Sequence, residues 1–236
     1  MSLPTISVPT YELIVPSTNK AMKYRPFLVK EQKVLMIANE SEDPGVMANT
    51  LKDIIKACAK TEIDVNSLAV FDVEYIFSQI RARSVGETSD LRFQCLTCKD
   101  TESIINVRID LTKLKVEFDP NHKNPIQLED GLMVKMRYPS AETLSKLKDS
   151  NYGVDEVFDA ILECLDAVYT ADNVFTASEQ SLAERQTFVN DMTIEVFNTL
   201  TDFFRTMPSL TQTVEFKCPN CGAQHKQVLK GLADFF

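Results

Sequence analysis

The chain has 236 residues, 44% of them hydrophobic, with 34 acidic and 25 basic side chains and a formal net charge of −9. That length allows one large domain or two small ones around a sizeable core. No apolar run of about 18 residues is present to span a membrane, and the start, Met1-Ser2-Leu3-Pro4-Thr5, lacks the basic and apolar regions of a signal peptide.

Residues 1–40 read as extended, with strands at Tyr11–Val15 and Val34–Ala38 and a turn at Pro16-Ser17-Thr18-Asn19. Asp43-Pro44 starts a helix, with Asp as cap and Pro at the first helical position. Met47, Leu51, Ile54, Ile55 and Cys58 fall on one of its faces. Asp72 is predicted to cap a second helix, with Val73, Ile76, Phe77 and Ile80 as its stripe and Gly86 as its end. Strands resume at Phe93, and both Ile105-Val107-Ile109-Leu111 and Leu132-Val134-Met136-Tyr138 alternate as sheet faces do. From Ser140 the pattern turns helical as far as Met207. One stripe is Val157, Ile161, Leu165 and Val168; another is Val189, Met192, Val196, Leu200, Phe203 and Met207. A helical hairpin packed on itself is their natural use. Pro208 breaks the helix and the chain returns to strand.

Four cysteines carry the chemistry. Cys95 and Cys98 form one C-x-x-C, Cys218 and Cys221 another. Leu91-Arg92-Phe93-Gln94 leads into the first and Val214-Glu215-Phe216-Lys217 into the second, both with the alternation of a half-buried strand. Apolar runs follow each pair, Ile104–Leu111 and Val228–Leu232. Each unit therefore reads as strand, knuckle, strand, and two such units supply the four thiolates that zinc prefers in a closed structural site. Four protein ligands leave no open position for a catalytic water. Common four-cysteine ribbons separate their pairs by roughly 15–20 residues; here residues 99–217 intervene, so a large insertion splits the ribbon.

Iron fits the same ligands, and two unrelated pairs of reduced thiols are the bland alternative. A thioredoxin-type redox pair needs a helix N-terminus to lower its thiol pKa, and neither pair opens a helical pattern. Gly222 suits a tight knuckle turn of positive φ, whereas the Cys95 pair has Lys99 at that place. His225 could replace one cysteine, but an exposed histidine on the returning strand is the simpler reading. Cys58 and Cys164 lie on apolar helical faces as buried free thiols. Six cysteines without an export signal fit a reducing interior.

The fold class is α+β. A β-rich body with two helices and both knuckles spans 1–98 and 208–236, a β segment spans 99–139, and an acidic helical insertion spans 140–207. From Asn151 to Thr206 there are eleven acidic and two basic residues, a local net of −9; the remainder balances. That segment is a solvated helix face or a docking surface for a basic protein. Either counts against nucleic acid, which needs a basic stripe. The strongest basic cluster, Lys20, Lys23, Arg25, Lys30 and Lys33, reads as the outward face of strands.

No P-loop, dinucleotide turn, G-x-S-x-G or H-E-x-x-H is present. His122 sits in a loop, Asp119 to Pro125, without a sequence-evident partner, and reads as solvent-exposed. A non-enzymatic protein without a small-molecule substrate is expected.

Three further stretches complete the reading: Lys23-Tyr24-Arg25-Pro26-Phe27-Leu28-Val29-Lys30-Glu31; Asp72–Phe77 through Arg81-Ala82-Arg83-Ser84-Val85-Gly86-Glu87; and Leu229-Lys230-Gly231-Leu232-Ala233-Asp234-Phe235-Phe236. In this order, with the paired cysteines, they resemble the baseplate hub subunit family of T-even-type contractile-tailed bacteriophages over nearly the full length. The resemblance implies a hub component or hub-assembly factor whose partners are other phage hub and tail proteins. It would act in the host cytoplasm during assembly and then leave or remain in the tail baseplate. The runner-up is a zinc-ribbon nucleic-acid binder. By themselves Arg25, Arg81 and Arg83 read as structural salt bridges. Leu232, Phe235 and Phe236 either tuck into the protein's own core or anchor a hub partner, since aromatics are enriched at interfaces.

Overall fold

A computed structural model describes residues 6–41, 44–98, 104–128, 131–140, 143 and 154–235. The Asp43 cap, the Lys99 position, Phe236 and most of the predicted helix between Ser140 and Gly153 lie outside them. The chain forms two compact units: Met1–Glu117 with Ser209–Phe236, and Phe118–Pro208. The strands of the 99–139 segment divide between the two.

The first unit opens with a hairpin, β1 (Tyr11–Ile14) against β2 (Ala21–Tyr24), turned at Asn19 with a left-handed φ of 54°. The predicted strand at Val34–Ala38 is instead the middle of α1 (Val29–Glu40). Its start explains why: the Glu31 carboxylate accepts the Leu28 N–H at 2.8 Å, tying off the first turn. The inward side of α1 is Glu31, Leu35 and Ala38, spaced i, i+4, i+7. The apolar run Val34-Leu35-Met36-Ile37 thus straddles inner and outer faces, which no strand alternation describes.

Helices α2 (Pro44–Cys58) and α3 (Val70–Ser84) pack as their stripes predict. Leu51, Ile54, Ile55 and Cys58 meet Val73, Ile76, Phe77 and Ile80 in one core, with Met47 at its edge. Asp72 is not the cap. Ala69 holds that position, and Asp72, fully buried three residues on, accepts N–H bonds from Ala69 at 3.3 Å and Ser17 at 2.9 Å. Burial pushes its carboxyl up, with those donors opposing. α3 ends two residues before Gly86, which has a φ of 153°.

Two sheets follow. β3 (Thr88–Gln94) pairs antiparallel with β4 (Ile104–Asp110). β10 (Ser209–Lys217) pairs with β11 (Gln224–Lys230) on one side and β5 (Lys115–Glu117) on the other. Ile109, Leu111, Leu210, Val214 and Leu229 form a second core beneath them.

The second unit is built on a four-stranded antiparallel sheet in the order β6 (Ile126–Gln127), β7 (Met133–Met136), β8 (Leu165–Tyr169), β9 (Val174–Thr176). This replaces the expected helical hairpin. α4 (Val154–Cys164) stops where β8 begins, so Val157 and Ile161 are helical while Leu165 and Val168 lie in strand. Helical spacing and a short apolar strand overlap at such a junction, and pairing with β7 and β9 decides it. The second stripe is broken too. α5 (Leu182–Asn190) is separated from α6 (Ile194–Thr206) by a fresh cap, Thr193, whose hydroxyl accepts the Val196 N–H. Val157, Ile161, Leu200 and Phe203 share one core with Val134 and Met136.

Charge follows the division. The first unit holds 18 acidic and 18 basic residues, the second 16 and 7, so the second carries the whole net charge of −9.

Candidate metal centre

The knuckles form because each ends a hairpin. β3 delivers Cys95 to the tip of one and β10 delivers Cys218 to the tip of the other. In the second knuckle Gly222 takes a φ of 73°, its N–H bonds the Cys218 carbonyl at 3.0 Å, and the Cys218 N–H bonds the Ala223 carbonyl at 2.9 Å. Phe93 of one hairpin stacks on Phe216 of the other, centroids 4.8 Å apart, holding the tips side by side.

The sulfurs of Cys95, Cys98, Cys218 and Cys221 all lie within 4.8 Å of one another, although 126 residues separate Cys95 from Cys221. Cys95 Sγ is 3.6 Å from Cys221 Sγ, and Cys98 Sγ is 3.9 Å from Cys218 Sγ. A tetrahedral zinc with sulfurs at about 2.3 Å spaces them about 3.8 Å apart. A disulfide needs about 2.05 Å, and all four are free thiols. Cys95 and Cys218 are buried at the base, against Ile105, and Cys98 and Cys221 face solvent.

The electrostatics of the cluster are uneven. The Cys98 N–H points at the Cys95 sulfur; helped by the Thr97 N–H, the Cys98 thiol and the His225 ring, and opposed by desolvation, it brings Cys95 down to about 5. The Ala223 N–H favours the Cys221 thiolate, yet desolvation and the neighbouring sulfurs of Cys95, Cys218 and Cys98 push Cys221 up to about 11. One thiol ionises readily and its neighbour resists, because sulfurs this close all ionise only around a cation. The donor set fits a soft divalent metal.

His225 lies on the returning strand as predicted, but it is half-buried rather than free. Its Nε2 is 3.2 Å from Cys95 Sγ, and its ring packs on Phe216. His122 is also not an exposed loop residue. In the second unit its Nδ1 meets Thr206 Oγ1 at 3.1 Å, its Nε2 meets Tyr138 Oη at 3.2 Å, and its ring packs on Phe203. Burial holds its pKa below the ordinary value, with Asp119 opposing. Cys58 and Cys164 are buried, and burial raises them to about 11 and about 12 respectively.

The chain end turns inward. Phe235 is 0% exposed in the second core of the first unit, and Leu232 packs against the first core. Phe235 is therefore no exposed anchor. Its carbonyl accepts the Ser89 hydroxyl at 2.8 Å, and the Leu232 N–H reaches Glu74 at 3.1 Å.

The three family-like stretches prove to be contacts with one another, a role their spacing does not signal. Arg25 forms a buried ion pair with Glu31 at 2.9 Å and donates to the Ala57 carbonyl at the end of α2. The Phe27 N–H bonds Ser84 Oγ at 2.9 Å, joining the first stretch to the second. Glu74 receives Leu232, joining the second to the third. Arg83 pairs with Glu87, while Arg81 loses charge stabilisation through burial.

The family model described as T4 bacteriophage base plate protein matches residues 8–236. Among curated proteins, baseplate hub assembly protein gp26 of Enterobacteria phage T4 is 25% identical over 226 residues, covering 96% of this chain and 97% of that protein. No solved structure matches significantly.

Proposed function

That the chain belongs to the T4 bacteriophage base plate protein family is the premise from which we propose that it assembles the baseplate hub in the infected cell. It does so without catalysis, through contacts with other hub and tail proteins, in the host cytoplasm. The match across residues 8–236 is the observation that carries this reading. Cys95, Cys98, Cys218 and Cys221 hold one structural zinc, which ties the two hairpin tips together. The sulfur spacings support this metal; iron would use the same ligands.

The role of the metal is mechanical. Structural zinc is worth about 10–16 kcal/mol of apparent folding free energy in small peptides, comparable with the whole stability of about 5–15 kcal/mol of an ordinary domain. The nucleic-acid reading gains no support, because one unit is charge-balanced and the other strongly acidic.

The test is deletion of the gene from the parent phage, with complementation by the wild type. Expected is the loss of baseplates and accumulation of unassembled hub proteins, restored by the wild-type chain. Normal tails from the deletion phage would overturn the assembly role. Elemental analysis of the purified protein reads the metal separately, one zinc per chain being the expected value.

A further inference from the structure

Helix α1 presents an unusual outer face. Val29 is 82% exposed, Met36 60% and Ile37 58%, and with Lys33 they occupy one ridge at i, i+4, i+7, i+8. The only buried residues of this twelve-residue helix are Glu31 and Ala38. Apolar ridges of this kind mark docking helices. Lys33 lies within the ridge and Lys30 beside it, Lys30 with 73% of its side chain exposed and 3.5 Å from Glu31.

The second unit carries the complement. An open cavity of about 260 Å³ has an apolar wall of Leu132, Leu165, Val168, Phe175 and Phe188, with Glu184 and Arg185 as its charged wall residues. That volume lies below the usual range of small-molecule pockets, about 300–1,000 Å³, and suits aliphatic side chains. Phe175, 44% exposed, sits on β9, an edge strand of its sheet. Arg185 at the cavity wall is turned to the Leu162 carbonyl near the end of α4 at 3.4 Å. The unit around it carries the net charge of −9.

We propose that α1 of one copy docks by Met36 and Ile37 into this cavity of a second copy. Charge selects the pairing. Two α1 faces together would oppose lysines, and two acidic units would oppose carboxylates, whereas ridge on cavity brings the lysines to the acidic unit. The contact is heterologous, using different surfaces on the two partners, so it propagates to a ring or a chain. It depends on neither the metal nor the family assignment.

The test is sedimentation of the full-length protein over a concentration series. Expected is a mass that rises above the 26.7 kDa of one chain and falls back at high salt. The double variant Met36→Asp/Ile37→Asp and, separately, Phe175→Asp each weaken association by roughly tenfold or more. Mixed together, those two restore a one-to-one complex, since each retains the surface the other lacks. Ile194→Asp, at an 81% exposed position of α6, changes nothing. If Phe175→Asp misfolds by circular dichroism, Thr170→Lys, at an exposed wall position, replaces it. A wild type that stays at one chain mass at every concentration overturns the proposal. So does association indifferent to both variants, or variants that do not complement.

Discussion

The first unit gathers residues from both ends of the chain, while the second is one continuous stretch, 118–208. The first must bring residues more than ninety positions apart together before β10 can meet β5, and residues 120 positions apart before Cys218 can approach Cys98. Loop closure costs conformational entropy that rises slowly with length, and the four sulfurs and the inward-turned chain end sit where that closure is made. The second pairs β6 to β7 and β8 to β9 nearby in sequence, and α5 and α6 carry their own caps. Closure by long-range contacts should make one unit depend on a metal and on a few buried anchors; local closure should free the other from both.

The sharpest way to break that comparison is to remove a ligand. Cys95→Ser or Cys218→Ser should abolish metal binding and unfold the first unit, a loss on the scale of the full stability of a domain. The second unit should keep its own melting transition. Calorimetry of the variants, or of wild type treated with chelator, reads both units in one scan. Two transitions lost together would show the units to be energetically one.

Phe235→Ala should cost about 3–5 kcal/mol, as for a large aromatic removed from a packed core. Chemical denaturation measures it, and a change within about 0.5 kcal/mol would mean the chain end is not core. Arg25→Ala leaves buried Glu31 with only the exposed Lys30 at 3.5 Å and should cost about 3 kcal/mol by the same measurement. A smaller loss in Arg25→Met would separate the ion pair from the packing of the stem.

The smallest effect concerns pH and the second unit. Its folded state holds His122 below the ordinary histidine value, so the unfolded state binds the proton more readily. Stability is full above the ordinary pKa of about 6.5 and declines as pH falls from there toward the depressed folded value. The melting temperature of the second unit should follow that course, and His122→Phe should flatten it. An unchanged pH dependence in the variant would assign the effect to carboxylates.

Much of this was legible before folding. The paired C-x-x-C spacing and its strand lead-ins pointed to two hairpin tips, since alternation and the Gly222 turn are local properties. The stripes of α2 and α3 were equally plain, because one face of each is buried against the other. Val34–Ala38 misled because α1 leaves apolar residues outside, so its period reports no core. The Leu165 boundary misled because spacing cannot distinguish a helix end from a buried strand. His122 read as exposed because its partners, Tyr138 and Thr206, are distant in sequence.

The sequence alone thus determined the four candidate thiol donors, the charge segregation and most of the local periods, which depend on residue identity and near neighbours. Only the tertiary structure decided that Cys95 neighbours Cys221 and Cys98 neighbours Cys218, that Phe235 points inward, and that Arg25, Glu74 and Ser89 are fasteners between remote segments. Those facts depend on which surfaces meet, and contacts between residues a hundred positions apart leave no mark in local spacing.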